Sequence, residues 1–370
     1  MSGTKILPRP PQAAKAAAPI PAKGYAAFSS DTALVPWEFE RRAPGPHDVV
    51  IEILYCGICH TDIHLVRNEW GISLYPMVPG HEIVGSVTAT GSDVTKWKAG
   101  DNAGVGCFVD SCRECGACKD GDEQYCEKGP TLTYSNRERD GQTITQGGYS
   151  TVIVVNEDYI YRLPPILPLD RTAPLMCAGI TTYSPLKRAG LRKGDEVAIA
   201  GLGGLGHMGV KFATAMGANV TVLSTSPAKR GDALQLGADD FIATREPDAL
   251  VRNTNRFTFI LDTIAAKHDI SAYARLLRRN GRLVQVGAPP EPLSLAVFDL
   301  IQNRRSIGGS MIGGLKETQE MLDFCGKNGI AAEVEVIPIQ KVGEAYERML
   351  KSDVKYRFVI DLASLKGNGK

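Results

Sequence analysis

The first part of the chain carries short apolar runs separated by glycine and proline. Residues 49–54, 83–87 and 151–155 are such runs, and this texture extends from Tyr25 to about Leu163. Short apolar runs between turn-forming residues are typical of β-strands, and helix signals are scarce among them. The pattern predicts a β-rich domain with long loops.

From about Asp195 the pattern changes to strand-like runs that alternate with helix-like stretches. The strand-like runs lie at 197–200, 220–223, 257–261 and 283–286, and the helix-like stretches include 208–216 and 228–236. Such alternation indicates βαβ units. We therefore expect a parallel α/β sheet in this part of the chain.

After Gly313 the remaining chain is short. Its predicted elements are a helix at 317–326, a strand at 334–337, a helix at 342–351 and a strand at 357–360. These are too few for a separate domain, so we expect the segment to return to the first domain. The predicted organisation is a flexible tail over 1–20, a β-rich domain formed by 21–166 and 314–370, and an α/β domain over 167–313.

Composition and charge limit the partners that the chain can bind. Among its 370 residues, 42 Lys and Arg stand against 41 Asp and Glu. This balance leaves no basic field for nucleic acid or an anionic membrane surface, so we expect neither partner. No apolar run approaches the ~20 residues of a membrane helix, and the Pro- and Ala-rich N-terminus lacks a signal-peptide pattern. We expect a cytoplasmic protein.

Four of the nine cysteines lie close together, at Cys112, Cys115, Cys118 and Cys126. Their spacing suits one tetrahedral zinc ion, because a short loop lets each thiolate reach the metal. An iron–sulfur cluster also takes four cysteines, but the bacterial ferredoxin run has Pro after the last one, where this chain has Glu127. Four free thiols are the third interpretation. A closed zinc site leaves no position for substrate, so we expect it to be structural.

A second group of candidate ligands comprises Cys56, Cys59, His60, His64 and His81. Cys56, Cys59 and His60 also match the attachment sequence of c-type haem, and the two cysteines match a thioredoxin-like dithiol. The lack of an export signal disfavours haem, and the β-rich setting disfavours the dithiol. The remaining interpretation is an open catalytic zinc site, with three protein ligands and one free position.

Three residues are candidate ligands of this open site. Cys59 and His81 are two of them, and Cys177 is the third, where the β-rich part passes into the α/β part. Spacing alone does not join these three residues.

A glycine-rich segment follows one predicted strand and precedes a predicted helix; it comprises Gly201, Gly203, Gly204, Leu205 and Gly206. In this context G-x-G-x-x-G predicts the dinucleotide-binding loop of a Rossmann fold. Gly201 makes the turn, Gly203 lets a pyrophosphate approach the backbone, and Gly206 lets helix pack on strand. The helix N-terminus then faces the phosphates with its partial positive charge. A glycine-rich turn without a ligand is the alternative.

The end of the next strand indicates which dinucleotide binds. An NAD site has Asp or Glu there for the ribose 2′-hydroxyl, whereas this chain has Ser224, Thr225 and Ser226, followed by Lys229 and Arg230. Cations in the first turns of a helix oppose its dipole by ~0.3–1 kcal/mol each, so an anion should offset them. A 2′-phosphate fits, which predicts NADPH rather than NADH. The alternative is that both cations are solvated surface charges.

Several motifs together resemble the zinc-dependent medium-chain alcohol dehydrogenases: GICHTD at 57–62, GHE at 80–82, the four-cysteine loop and GLGGLGHMG at 201–209. VGCFVDSC, MCAGITTYSPL and GSMIGG are most similar to the cinnamyl alcohol dehydrogenase-like, NADPH-dependent aldehyde reductases. The resemblance covers nearly the whole chain after the tail. It implies a GroES-like β-rich catalytic domain, a Rossmann domain with a doubly wound parallel sheet, and an active site in the cleft.

The resemblance also implies roles for residues near the metal. Cys59, His81 and Cys177 would bind the catalytic zinc. Glu82 would sit behind the metal and replace water during ligand exchange, and Asp62 would orient the ring of His81.

Further implied roles concern proton transfer and the cofactor. Thr61 would hydrogen-bond the substrate oxygen, His64 would pass its proton to solvent through the cofactor ribose, and His60 would lie near the pyrophosphate. The backbone of Val286, Gly287 and Ala288 would hold the carboxamide of the nicotinamide, and Ser310 is a further predicted cofactor contact.

The predicted activity is the reversible reduction of aromatic and aliphatic aldehydes to primary alcohols with NADPH. Two zinc ions per chain and a homodimer or homotetramer are expected. Trp70, Tyr75 and Met77 would form an apolar wall, which discriminates poorly because one methylene is worth only ~1–3 kcal/mol. The alternatives are a polyol or sugar dehydrogenase of the same fold and a noncatalytic zinc- or dinucleotide-binding protein.

Overall fold

The computed structural model describes residues 18–365, so most of the predicted tail lies outside the described residues. The first part of the chain contains β1 (Ile20–Ala26), β2 (Val35–Arg41), β3 (Asp48–Gly57), α1 (His60–Val66), β4 (Ile83–Thr90), β5 (Asn102–Val105), β6 (Phe108–Asp110), α2 (Gly116–Lys119), β7 (Thr131–Leu132), β8 (Val152–Asn156) and β9 (Tyr161–Arg162).

The second part of the chain alternates helices and strands. It contains α3 (Leu169–Thr172), α4 (Ala178–Arg188), β10 (Glu196–Ala200), α5 (Gly206–Ala215), β11 (Asn219–Ser224), α6 (Arg230–Gln235), β12 (Asp240–Ala243), α7 (Ala249–Arg252), β13 (Phe257–Asp262), α8 (Ile270–Leu276), β14 (Leu277–Gln285), α9 (Phe298–Ile301) and β15 (Ser306–Gly309). The C-terminal elements are α10 (Leu315–Asn328), β16 (Val334–Pro338), α11 (Val342–Leu350) and β17 (Arg357–Asp361).

The β-rich part contains a seven-stranded sheet. Six of its strands have the order β16-β17-β3-β4-β5-β9, and the seventh, β8, pairs with β3. Strand β3 lies at its centre, and its apolar side chains Val49, Ile51 and Ile53 are buried. Strand β17 pairs antiparallel with β3, and Ile360 faces Cys56. The C-terminal strands therefore join the sheet of the N-terminal part.

Helix α10 packs in a different place from the C-terminal strands. Its Met321 and Cys325 belong to the same core cluster as Met208 and Phe212 of α5. The C-terminal segment thus contacts both parts of the molecule. The residue limits of the two domains stay a prediction.

The second part forms a six-stranded parallel sheet in the order β12-β11-β10-β13-β14-β15. This is the doubly wound order, and the order in which strands are added to the sheet reverses between β10 and β13, where open α/β sheets bind ligands. The predicted α/β fold is confirmed, as are the predicted strands within β10, β11, β13 and β14. Between residues 18 and 365, no helix has the length and apolar character that crossing a bilayer requires.

Candidate active site

The four clustered cysteines surround one point of an irregular loop. The sulfur atoms of Cys112, Cys115, Cys118 and Cys126 lie within 4.8 Å of one another, and none forms a disulfide. Backbone N–H groups donate to three of these sulfurs at 3.3 to 3.5 Å, which favours the thiolate form. Four close sulfurs with such donors fit a tetrahedral zinc ion.

A second group of candidate metal ligands comes from three separate segments of the chain. Its members are buried, and their ligand atoms lie within 4.8 Å of one another; they are Cys59, His81, Glu82 and Cys177. Cys59 precedes α1, and Cys177 precedes α4. Hydrogen bonds from Cys177 and His81 lower the pKa of the Cys59 thiol. The fold thus brings together the three residues that spacing alone does not join.

Cys56 lies apart from this group. Its side chain is completely buried in β3, and its sulfur lies 3.5 Å from the carbonyl oxygen of Gly57. A covalently attached haem needs access to that sulfur, so its burial disfavours the c-type haem interpretation.

Asp62 is a buried carboxylate that holds the ligands in place. Its Oδ1 lies 3.3 Å from Nδ1 of His81, so Nδ1 is the protonated nitrogen and Nε2 is free for a metal. The carboxylate also accepts hydrogen bonds from the Cys59 backbone N–H and from the hydroxyls of Tyr134 and Tyr149, at 2.7 to 3.1 Å. The two tyrosines lie 72 and 87 residues from Asp62 and carry no sequence signal.

Glu82 and Arg357 form a buried ion pair beside the metal ligands. Burial raises the pKa of Glu82 to about 7, and the charge of Arg357 opposes this rise. The other carboxylate oxygen, Oε2, is buried with no hydrogen-bond partner among residues 18–365, so it can serve a cation. A Cβ at Gly57 would lie 2.0 Å from this oxygen. No motif predicts Arg357, because it lies 275 residues from Glu82.

A cleft of about 340 Å³ opens from the metal ligands toward the glycine-rich loop. Cys59 and Cys177 line it, whereas His81 and Glu82 are not among its lining residues. A metal held by this group would therefore have one side open to the cleft. This is the donor set and the open position of a catalytic zinc site.

The apolar wall of the cleft differs from the prediction. Trp70 lines the cleft as expected, but Tyr75 and Met77 do not, so the prediction for these two was wrong. Met77 is completely buried in the core of the β-rich part, and the hydroxyl of Tyr75 donates to the Val66 carbonyl oxygen at 2.6 Å. The apolar residues that complete the wall are Met311 and Ile312.

Thr61 and His64 lie on α1 and line the cleft. The Oγ1 atom of Thr61 is 3.6 Å from the sulfur of Cys59, next to the position of the metal. His64 bonds through Nδ1 to the carboxylate of Glu69, and its ring centroid lies 5.0 Å from that of Trp70. These contacts hold the imidazole at the side of the cleft; Glu69 was not predicted.

The glycine-rich loop follows β10 at the point where the strand order reverses. Gly201 has φ of +91°, and a Cβ at Gly206 would lie 2.0 Å from the Gly201 carbonyl oxygen. A Cβ at Gly203 would meet no atom within 4 Å. Open space over this backbone fits a pyrophosphate. The cleft-lining residues at this end are His60, Gly203, Gly204 and Leu205.

The three hydroxyl residues at the end of β11 are not among the residues that line the cleft. Ser224 ends β11 and is buried, and its Oγ accepts a hydrogen bond from the Ser226 backbone N–H at 3.3 Å. Thr225 between them is exposed.

The two cations that follow are held by backbone carbonyl groups. Lys229 ends a short 3₁₀ helix, and its Nζ donates to the Leu202 carbonyl oxygen of the glycine-rich loop at 2.8 Å. Burial lowers the pKa of Lys229. Arg230 begins α6 and donates to the Phe241 carbonyl oxygen at 3.0 Å. Lys229 is thus half-buried against the loop, which disfavours its interpretation as a solvated surface charge.

The remaining predicted cofactor contacts lie directly after β14 and β15. The backbone N–H groups of Val286 and Gly287 donate to the Asp262 carbonyl oxygen at 2.9 and 3.1 Å. All four predicted residues line the cleft: Val286, Gly287, Ala288 and Ser310. Thr181 of α4 also lines it and was not predicted.

Comparison with known proteins finds related sequences and structures. Residues 45–165 match the family described as alcohol dehydrogenase GroES-like domain, and residues 204–327 match zinc-binding dehydrogenase. The chain is 54% identical over 341 residues to NADP-dependent alcohol dehydrogenase C of Mycobacterium bovis, covering 92% of this chain and 98% of the relative. It is 53% identical over 345 residues to a probable mannitol dehydrogenase of Fragaria ananassa, covering 93% and 96%.

Comparison with solved structures also finds an alcohol dehydrogenase. The cinnamyl alcohol dehydrogenase from Sorghum bicolor superposes with a TM-score of 0.90 at 46% identity, covering 93% of this chain and 98% of that one. The GroES-like and Rossmann parts, the two ligand groups and these similarities agree. The chain belongs to the zinc-dependent medium-chain alcohol dehydrogenases and is cinnamyl alcohol dehydrogenase-like.

Proposed function

We propose that this enzyme reduces aldehydes to primary alcohols with NADPH and catalyses the reverse reaction. The observation that carries the proposal is a single cleft that is lined both by Cys59 and Cys177 and by residues of the glycine-rich loop. Because candidate metal ligands and the dinucleotide-binding loop line the same cleft, an enzyme is favoured over a noncatalytic binding protein. When bound, zinc supplies Lewis acidity toward a carbonyl oxygen, and NADPH supplies hydride.

Five buried residues hold and orient the catalytic metal in this proposal. Cys59, His81 and Cys177 are its ligands, and Glu82 is available through its free oxygen when ligands exchange. Asp62 fixes the tautomer of His81. The four-cysteine loop holds a second, structural zinc.

Thr61 and His64 handle the proton. The Thr61 hydroxyl lies beside the metal ligands, where it donates to the oxygen that gains negative charge. His64 would resupply Thr61 with a proton from solvent during reduction and carry the proton out during alcohol oxidation, and Glu69 keeps its ring at the cleft. A positioned proton donor of this kind contributes about 10²–10⁴-fold to the rate.

The cleft wall favours apolar aldehydes of varied shape. Trp70, Met311 and Ile312 supply its apolar surface, which gives little discrimination between chain lengths.

A polyol dehydrogenase is the second candidate, because of the similarity to the probable mannitol dehydrogenase. A polyol site needs several groups that hydrogen-bond hydroxyls.

The deciding experiment compares kcat/KM for benzaldehyde, cinnamaldehyde and butanal, each with NADPH, against fructose, sorbitol and mannitol with the matching cofactor form. We expect the aldehydes to be preferred. A higher kcat/KM for the sugar and polyols would assign the second function.

We propose NADPH as the cofactor because residues 224–230, at the end of β11, contain no carboxylate and Lys229 lies half-buried at the glycine-rich loop. Ser224→Asp should shift the preference toward NADH, since a carboxylate repels the 2′-phosphate and accepts from a free 2′-hydroxyl. The measurement is kcat/KM for both cofactors, with Ser224→Asn as the uncharged control of similar size. Equal wild-type values for NADPH and NADH would contradict the assignment.

We also propose association into a homodimer or homotetramer through the edge of the parallel sheet. Strand β15 is that edge, and the neighbouring α9 region exposes apolar side chains: Val297 at 62%, Phe298 at 72% and Ile301 at 63%. An exposed apolar patch beside the outer edge of an edge strand is typical of an interface. Sedimentation equilibrium measures the mass, and a monomer at micromolar concentration would contradict this assembly.

A further inference from the structure

We propose that the four-cysteine lobe, residues 112–126, positions the wall of the substrate cleft through Tyr125 and Glu123. The wall segment is residues 310–314, which connects β15 to α10. Its first three residues line the cleft: Ser310, Met311 and Ile312. The proposal rests on the proposed function only for its effect on substrate affinity.

Tyr125 makes the first contact between the lobe and the wall segment. Its hydroxyl oxygen accepts a hydrogen bond from the backbone N–H of Met311 at 3.1 Å. The Tyr125 side chain is 47% exposed, so it contributes little to a core. Its polar end reaches a backbone group of the cleft wall, 186 residues away in sequence.

Glu123 makes the second contact, at the other end of the segment. Its Oε2 accepts a hydrogen bond from the backbone N–H of Leu315, the first residue of α10, at 2.9 Å. A Cβ at Gly314 would lie 1.8 Å from the Gly121 carbonyl oxygen and 2.7 Å from Glu123 Oε2. The lobe and the segment therefore touch backbone to backbone, and only glycine fits between them.

Ile312 lies between these two contacts in a strained conformation. Its φ is +40°, a region that β-branched residues rarely adopt because the Cβ crowds the backbone. Such conformations persist only where the surrounding structure enforces them. The hydrogen bonds that Met311 on one side and Leu315 on the other donate to the lobe supply that restraint.

A third link joins the lobe to the helix that follows the metal ligand Cys177. Arg188 of α4 pairs with Asp122 of the lobe and, at 3.4 Å, with Glu317 of α10. The lobe, α4 and α10 thus form one framework around the wall segment. A closed cysteine site with no room for substrate can therefore influence substrate binding through the side chains it presents.

The experiment uses the zinc-loaded full chain, three substitutions at Tyr125 and Glu123, and one control substitution. Tyr125→Phe removes only the hydroxyl, and Glu123→Ala removes the acceptor for Leu315, whereas Glu123→Gln retains an oxygen there. Glu114→Ala is the matched control, because Glu114 is an exposed lobe carboxylate that pairs with Lys128. Hydrogen exchange of the amides at 311–315 and steady-state kinetics with cinnamaldehyde are measured, with zinc content by elemental analysis.

We expect faster exchange at Met311 in Tyr125→Phe and at Leu315 in Glu123→Ala, with two zinc ions retained. The KM for aldehyde should rise about threefold to tenfold, the scale of one lost hydrogen bond, with kcat and the Kd of NADPH within twofold of wild type. Glu123→Gln should restore most of the affinity, and Glu114→Ala should match wild type.

Unchanged exchange in both test variants would overturn the proposal, as would an equal rise of KM in Glu114→Ala. Loss of zinc, or equal losses of kcat, aldehyde affinity and NADPH affinity, would overturn it too, since either shows general loosening. If the wild type fails to reduce aldehydes, the proposed function fails, while the exchange rates still test the restraint.

Discussion

Cys59→Ala is expected to reduce turnover to background while the chain stays folded. Cys59 is the proposed metal ligand that precedes α1, and with Cys177 it lines the cleft. The variant removes one of three ligands that an open zinc site needs. The backbone N–H of residue 59, which donates to Asp62 at 2.8 Å, is retained, so the start of α1 keeps its cap. Steady-state kinetics, circular dichroism and zinc analysis check this.

Cys115→Ala is the matched control, because it removes a ligand from the closed site. Metal binding at such a site contributes to the free energy of folding, so this variant should lose thermal stability. Each variant should hold about one zinc fewer than wild type. Full activity in Cys59→Ala, or in a wild type with fewer than two zinc ions, would contradict the assignment of the two sites.

The parts of the site that the sequence predicts are those whose chemistry is local. The four clustered cysteines lie on one loop, and the glycine-rich loop joins consecutive elements, so their spacing alone indicates a metal and a dinucleotide. Ser224 is the last residue of β11 and Lys229 follows it closely, which is where the sequence predicts the contacts to the cofactor ribose. In each case the residues that act together are neighbours in the chain, and local geometry limits what they can do.

The remaining parts depend on pairings between distant segments. Cys177 joins Cys59 and His81 only through the fold, and family resemblance, not spacing, indicated it. Arg357 reaches Glu82 because β17 pairs with β3, which no local pattern specifies. Helix α4 was not predicted, since it is buried on nearly all sides and contains Pro185.

The prediction for the cleft wall was wrong because the wall, too, depends on contacts between distant segments. Tyr75 and Met77 lie near the metal motif in sequence, and an apolar residue there fits a pocket or a core equally well. Met77 pairs with Ala27 in an isolated bridge, which draws it into the core. The actual wall residue Met311 comes from a segment more than two hundred positions later.

Arg357→Met is expected to lower the free energy of unfolding by about 3–5 kcal/mol, the typical cost of leaving one partner of a buried ion pair alone. Glu82 is 0% exposed and Arg357 is 4% exposed, so water cannot replace the lost guanidinium. Methionine approximates the length of the arginine stem and adds no charge. Urea unfolding of the zinc-loaded protein, followed by fluorescence, measures the change.

The double variant Glu82→Gln/Arg357→Met separates the charge from the packing. If the unpaired carboxylate causes the loss, the neutral amide should recover much of the stability, and the double variant should be more stable than Arg357→Met alone. Arg357 also packs against the glycine-rich loop, where a Cβ at Gly204 would lie 2.8 Å from Nη1. The double variant should therefore still bind NADPH more weakly than the wild type does, even where its stability recovers. Fluorescence titration measures this affinity. An equal loss of stability in the single and double variants would show that packing, not the ion pair, accounts for the role of Arg357 in the fold.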